Sequence, residues 1–274
     1  MENNGTEDEP NYIETEFNFD SLLTQNYSLY AKWSGEAVMM ARNNNAAFWQ
    51  ESIRTNLKNI TFTKDASLIP PNPLQTWDVR DDKNNGATVT AYLRDSENLI
   101  VYSPYTIYAN TNASKYFDGF SNLTSITFDN FDTSKTTNMR GMFFNCANVT
   151  DLNVSGFNTS NVTDMYEKFR NCSHLTSLDI SGFNTSKVKT MNNMFFACSG
   201  LTSLDVSHFD TSIVTSMAGL FRGCSQLTSL DVSHFNTANV TKMNGMFTGC
   251  NNLTSLSVED FNTANVETME RYVL

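Results

Sequence analysis

The sequence predicts an α/β solenoid in which 26-residue units stack around a parallel sheet, preceded by an N-terminal α+β capping region. Three observations predict this fold. The five cysteines follow one another at intervals of 26 residues, and phenylalanine, methionine and threonine columns keep the same interval. A short leucine phrase also recurs in every unit. The cysteine column is Cys146, Cys172, Cys198, Cys224 and Cys250, and the phenylalanine column begins Phe131, Phe157, Phe183 and Phe209.

The leucine phrase predicts a short strand. Leu201, Leu204 and Val206 match the leucine-rich-repeat pattern L-x-x-L-x-L. The alternation in "SLDVS" places Leu204 and Val206 inward and leaves Ser203 and Asp205 outward. We therefore expect one strand per unit, with neighbouring strands in parallel register.

The second half of the unit predicts a helical turn. The polar turn "HFDTS" is followed by apolar residues at steps of three and four, which is the spacing of one helix face. These residues are Val214, Met217, Leu220, Phe221 and Cys224. A strand and a helical turn in each unit give an α/β leucine-rich-repeat solenoid.

The repeat also resembles a known family. The phrase "LTSLDVSHFDTS", residues 201–212, closely resembles the BspA-like leucine-rich repeats of bacterial cell-surface proteins, and the resemblance extends over residues 121–274. Residues Trp77–Leu93 and Ile107–Ser134 look like the segment that precedes the repeats in that family. The resemblance implies an extracellular solenoid that adheres to host or neighbouring cells.

Three regions are expected along the chain. Residues 1–35 form an acidic, flexible start followed by Phe17–Trp33, which is similar to the end of the Listeria–Bacteroides repeat, a β-rich surface module. Residues 36–120 form the α+β cap, with an expected helix within 36–59, and an independent functional domain is the alternative. Residues 121–274 form about six units. The cysteine of the sixth unit would fall at 276, so we expect a fragment of a longer protein.

Charge and hydropathy exclude several classes of function. The chain has 29 acidic and 18 basic residues, a formal net charge of −11, which disfavours nucleic acid as a partner. No apolar run approaches the roughly 18 residues of a transmembrane helix. The acidic, polar N-terminus lacks the pattern of a signal peptide.

The cysteines are expected to be free and buried. They contain no C-x₂-C pair, so they match no zinc motif. The cysteines of neighbouring units could lie close enough for a disulfide. Five thiols cannot all pair, however, and each cysteine lies on the apolar face of its unit. Small buried apolar side chains are therefore the interpretation we favour.

The candidate binding residues lie on the outward strand positions. A carboxylate column could bind Ca²⁺, but it lacks the turn phrases of calcium-binding repeats, so a solvated acidic face is favoured. Two stacked histidines without a third ligand are a weak zinc site. No metal, cofactor or catalytic triad is expected, and the protein is not expected to be an enzyme. The candidate positions are Asp179, Asp205, Asp231, His208 and His234.

The function expected from these features is adhesion by a non-catalytic, secreted or cell-surface binding module. Its partner would be a host or neighbouring-cell protein or glycan. The alternatives are a structural spacer in a larger surface protein and an intracellular role, with which free cysteines are equally compatible.

Overall fold

A computed structural model describes residues 37–40, 51–81 and 87–270. The chain divides into two compact units, residues 1–33 and 34–274, and the described residues all belong to the second. The expected surface-module remnant within residues 1–35 lies outside the described residues. Nothing in the structure therefore tests that expectation.

The described residues are mostly strand and turn. Helix is confined, among them, to one four-residue helix and a 3₁₀ turn at Ala66–Leu68. The elements in chain order are β1 (Ala37–Val38), α1 (Glu51–Arg54), β2 (Asn59–Thr63), β3 (Gln75–Asp78), β4 (Thr90–Leu93), β5 (Asn98–Tyr102), β6 (Ile107–Tyr108), β7 (Ser125–Phe128), β8 (Phe131–Asp132) and β9 (Asp151–Leu152).

The described strands form two sheets. The larger is a mixed six-stranded sheet in the order β3-β4-β5-β2-β7-β9. Its β3-β4 and β4-β5 pairs are antiparallel, whereas β2 pairs in parallel with both β5 and β7, and β7 pairs in parallel with β9. The smaller sheet, β1-β6-β8, is entirely parallel.

The helical part of the expected cap is not supported. Of the helix predicted within residues 36–59, the described residues contain only α1. The other regular elements described before residue 120 are the strands β1 to β6 and the 3₁₀ turn. Strand β2 pairs on one side with β5 and on the other with β7 of the first repeat. The region before the repeats is thus joined to them through one continuous sheet.

The repeats stack unit upon unit. Isolated parallel bridges link positions 26 residues apart, from Asn112 through Asn138 and onward to Thr268. Buried threonine hydroxyls reinforce the stacking, because each donates a hydrogen bond of 2.9–3.1 Å to a backbone carbonyl 25 residues later. These threonines are Thr133, Thr159, Thr185, Thr211 and Thr237.

The predicted helical turn in each unit is wrong. Residues 217–224 form a run of turns in which alternate N–H groups donate to carbonyls of the next unit, for example Gly219 to Asn244 at 3.0 Å and Gly223 to Thr248 at 2.8 Å. The physical reason is backbone handedness. Gly219 and Gly223 have φ of 62° and 75°, in the left-handed region, so the chain cannot continue as a right-handed helix.

The left-handed positions recur in each described turn segment and form two columns, four residues apart. Glycine is the residue that adopts this conformation most readily, and asparagine follows it. Both residue types are common in the two columns. The columns are Lys115, Gly141, Glu167, Asn193, Gly219 and Gly245, and Gly119, Asn145, Asn171, Ala197, Gly223 and Gly249.

The predicted strand is only partly confirmed. Leu204 and Val206 are buried and Ser203 and Asp205 are exposed, as the alternation predicts. Within the part of the repeats that the structure describes, however, ladder-bonded strands at this position occur only in the first two units, as β7 and β9. From the second unit to the fifth, the serine at the Ser207 position donates its backbone N–H to the side chain two residues before it, so that N–H does not serve the sheet.

The core is a continuous column of apolar side chains inside the stacked units. Six phenylalanine rings stack in parallel, with neighbouring centroids 5.2–5.9 Å apart and interplanar angles of 1–11°. Burial of such rings is a main source of stability for stacked repeats. The rings belong to Phe117, Phe143, Phe169, Phe195, Phe221 and Phe247.

Candidate binding face

The outward strand positions form an open depression. It has a volume of about 520 Å³, and Leu204 and Leu230 contribute to its lining beneath a polar rim. We call the exposed surface that borders it the strand face. Its polar side chains come from three consecutive units and are Ser203, Asp205, Ser229, Asp231, Ser255 and Ser257.

Two of the five candidate residues lie together in this depression. Asp205 and Asp231 occupy equivalent positions in neighbouring units, whereas Asp179, His208 and His234 do not line it. The serines of the rim were not singled out from the sequence. Their signal was present, because serine recurs at positions 203, 229 and 255.

Each carboxylate of the column has a local structural contact. Asp205 accepts a hydrogen bond of 2.9 Å from the backbone N–H of Ser207, and Asp179 and Asp231 accept the equivalent bond at 3.0 Å. Bonds from the serine hydroxyl and N–H stabilise the ionised form, so the pKa of each carboxyl lies below its usual value. These carboxylates are therefore charged at neutral pH and remain exposed to solvent.

The two candidate histidines differ in their contacts. His234 places Nε2 2.8 Å from the carbonyl oxygen of Val206 in the preceding unit, so one ring nitrogen is engaged between units. Both histidines pack edge-on against the phenylalanine that follows them, with ring centroids 5.1 Å apart. His208 contributes to the lowered pKa of Asp179 and Asp205, and His234 contributes to that of Asp205 and Asp231. Both histidines are thus electrostatically coupled to the acidic column.

A second depression lies at the start of the repeats. Its volume is about 360 Å³, and it is lined by the rings of Phe128 and Phe157 together with Asp129, Asp151 and Asn153, among others. Asp129 and Asp151 were not predicted as site residues from the sequence. Neither belongs to the column of Asp205, and serines occupy the equivalent positions one unit later, so the column pattern gave no signal for them.

The repeats match a family model in two adjacent segments. The model describes a Mycoplasma protein of unknown function, DUF285, and it matches residues 111–203 and 197–273. Together these segments cover more than half of the chain. The chain belongs to the DUF285 family. No curated protein and no solved structure matches it.

The DUF285 repeats bury their cysteines as a hydrogen-bonded column. All five are free thiols with no exposed surface, and each sulfur lies 2.9–3.2 Å from a phenylalanine carbonyl oxygen 29 residues earlier. Burial raises the pKa of Cys198 to about 12 and that of Cys250 to about 11. The thiols of Cys172, Cys198, Cys224 and Cys250 therefore remain protonated and inert at neutral pH.

Within residues 37–40, 51–81 and 87–270, no group of three or more His, Cys, Asp or Glu side chains is placed to hold a metal ion. Among the same residues, no helix has the length and apolar character needed to cross a bilayer.

Proposed function

We propose that this chain is a non-catalytic binding module of an extracellular or cell-surface protein. In this proposal its repeats form a leucine-rich-repeat solenoid, and the strand face adheres to a protein or a glycan. The observation that carries the proposal is the depression in which Asp205 and Asp231 meet serines of three consecutive units. Membership of a surface-associated repeat family supports the location.

The stacking of the units supports the solenoid. Bridges at 26-residue intervals and the buried phenylalanine column make each unit contact its neighbours, which is how solenoids distribute their stability. A solenoid presents the same outward position again and again along one surface. The strand face then offers repeated hydroxyl and carboxylate groups to an extended ligand.

The chemistry of the strand face suits a ligand held by many weak polar contacts. Serine hydroxyls donate and accept hydrogen bonds, and the ionised carboxylates accept them or pair with cations. None of the rim side chains is an aromatic or arginine anchor of the kind that dominates tight interfaces. Affinity would therefore come from repetition of contacts along the face.

A structural spacer is the second candidate. The observation that favours it is that each aspartate of the column already accepts a hydrogen bond from the serine two residues later. A side chain that shapes its own turn needs no ligand to explain its presence. In this alternative the strand face keeps the stacked units soluble and binds nothing.

The experiment that separates the two uses asparagine at the aspartate positions. Asn153 occupies the same column and makes the same bonds to Ser155, at 3.1 Å to the N–H and 2.7 Å to the hydroxyl. The double variant Asp205→Asn, Asp231→Asn should therefore keep the fold and remove the charge. A matched control is Asp210→Asn, because Asp210 makes the same kind of bond to Ser212 but does not line the depression.

Binding should be measured on a glycan array and on immobilised extracellular-matrix proteins. The parent and the Asp210 control should bind, and the double variant should lose most of the signal. If the parent binds and the folded double variant binds equally well, the charge of the strand face is not used. If the parent binds nothing on either surface, the spacer is the better account.

A further inference from the structure

Arginine and aromatic side chains alternate along a different surface, formed by the turn segments. Arg170 lies over the rings of Phe144 and Phe196, with its guanidinium carbon 5.4 and 4.6 Å from their centroids. Arg222 also lies over the Phe196 ring, with its guanidinium carbon 5.4 Å from the same centroid. These four residues follow one another at 26-residue intervals, so one column alternates between ring and guanidinium.

A second pair extends this surface. Arg140 lies 3.9 Å above the ring of Tyr166, in the adjacent unit. All six side chains are at the surface of the turn segments, and the four in the column are half-buried. We call this set the arginine ladder, which comprises Arg140, Phe144, Tyr166, Arg170, Phe196 and Arg222.

The charge of the ladder is opposite to that of the chain. The net charge of the protein is −11, and the strand face carries aspartates. In the turn segments 140–146, 166–172, 192–198, 218–224 and 244–250, the surface charges are three arginines and the single carboxylate of Glu167. A local cationic surface on an acidic protein attracts an anionic partner and orients its approach.

The arginines differ in what they already bind. Arg170 pairs through Nη1 with Glu167, three residues before it, and no other described residue bonds its Nη2, which can still donate to a partner carboxylate. The guanidinium groups of Arg140 and Arg222 form no hydrogen bond or ion pair with any other described residue, although the rings hold them in place. Their N–H donors are thus positioned and available. A planar guanidinium stacked on a ring keeps its edge free to bind a carboxylate through two parallel bonds.

We propose that the arginine ladder binds an acidic peptide segment of a partner protein. The ring of Phe196 is covered by an arginine on each side, so its faces cannot stack on a sugar. The planar fork of Arg222 matches a carboxylate. Arg170 and Arg222 are two units apart, or about 10 Å at the usual strand spacing.

That spacing defines the peptide. In a polyproline II conformation, side chains three residues apart lie on one side of the peptide at about 9 Å, close to the separation of the two arginines. A segment with Asp or Glu at every third position would therefore place successive carboxylates along the ladder. The rings between the arginines would contact the apolar parts of the acidic side chains.

The test measures fluorescence anisotropy of a labelled peptide that carries glutamate at every third position. The parent should bind it with an affinity that falls as salt rises, and should not bind the same peptide with glutamine instead. The double variant Arg140→Gln, Arg222→Gln should bind roughly tenfold more weakly or worse. Lys187→Gln, Lys189→Gln is the matched control, since it removes two exposed positive charges outside the ladder.

A conservative variant separates charge from geometry. Arg222→Lys keeps the positive charge and loses the planar fork, so it should also weaken binding several-fold. Circular dichroism should show that each variant is folded before its affinity is compared. The variant Asp205→Asn, Asp231→Asn should bind the acidic peptide as the parent does, which keeps this test independent of the strand face.

Three results would overturn the proposal. The first is a parent that fails to bind the glutamate peptide even at low ionic strength. The second is an equal loss of affinity in the arginine and lysine double variants, which would indicate attraction by net charge alone. The third is binding of heparin without binding of the peptide, which would assign the ladder to a sulfated glycan.

Discussion

The side-chain nitrogen of Lys168 lies 2.8 Å from the sulfur of Met139, in the preceding unit. Lys168 has no exposed surface, and aromatic rings surround its amine, with the centroids of Phe157, Phe169 and Phe183 at 5.2, 5.4 and 4.8 Å. No carboxylate pairs with the amine among the described residues. Burial alone lowers its pKa from 10.5 to about 7.

Replacement of Lys168 by methionine should stabilise the protein. Other units have an apolar side chain at this position, such as Met142, Met194 and Leu220, so methionine fits the column. The parent protein must bury an amine that water would solvate well, and the variant Lys168→Met removes that cost. Urea unfolding should show a higher free energy of unfolding for the variant.

The stabilisation should depend on pH in a defined direction. Between pH 7 and 10.5 the amine is neutral in the folded protein and protonated in the unfolded chain, so the stability of the parent rises with pH. The difference between Lys168→Met and the parent should be largest at pH 7 and below and should shrink toward pH 10. Lys187→Met, at an exposed site, is the control and should show no such trend. A pH-independent difference would contradict the assigned protonation.

The five thiols should be unreactive until the protein unfolds. Each lies at 0% exposure, and desolvation raises the pKa of Cys172, Cys198 and Cys224. Titration with a thiol reagent should detect almost none under native conditions and all five in denaturant. A native count near five would refute the burial, and a denatured count near one would reveal disulfides.

The 26-residue columns predict which side chains are buried. Leu204 and Val206 are inside and Asp205 is outside, because alternation depends only on the two faces of an extended chain. The prediction that all five cysteines are free and buried is also confirmed. Burial follows from which residues share a column, and the sequence shows that directly.

The backbone path was harder to predict. Steps of three and four between Val214, Met217, Leu220 and Phe221 also fit a different backbone. In that backbone Gly219 adopts the left-handed conformation and its N–H donates to a carbonyl of the next unit. The spacing of apolar residues predicts which side chains face the core. It does not predict which carbonyl accepts the hydrogen bond from each backbone N–H. The recurring Gly-x-x-x-Gly of residues 219–223 and 245–249 was the available signal for the left-handed positions.

The candidate surfaces were predicted in part. Asp205 and Asp231 could be placed together from their column, but the depression beneath them depends on how far neighbouring units separate. The arginine ladder was visible as Phe144, Arg170, Phe196 and Arg222 at 26-residue steps. The stacking of the arginines on the rings could be identified only from the structure, because sequence spacing alone does not place a guanidinium over a ring.

Truncation of the strand core should destabilise the protein, whereas a change on the strand face should not. Leu204→Ala removes a buried side chain and should lower the free energy of unfolding by about 2–5 kcal/mol. Asp205→Asn keeps the hydrogen bond to Ser207 and should leave the unfolding midpoint unchanged. Denaturant melts of both variants check this. The reverse order would mean that the strand is shifted by one residue.

Alanine at a left-handed glycine should destabilise the turn segment. Gly219 has φ of 62°, and a methyl group there would collide with Oδ1 of Asn193 in the preceding unit. Gly219→Ala should therefore cost about 1–3 kcal/mol of unfolding free energy, because an L side chain is strained in this conformation.

Gly156 provides the matched control. It has no positive φ, and a methyl group there would meet no atom within 4 Å. Gly156→Ala should be neutral or stabilise the protein by about 0.4–1 kcal/mol, since alanine reduces the freedom of the unfolded chain. Thermal and urea melts of the two variants measure the difference. Equal effects of the two substitutions would show that the left-handed conformation at Gly219 does not strain an alanine side chain.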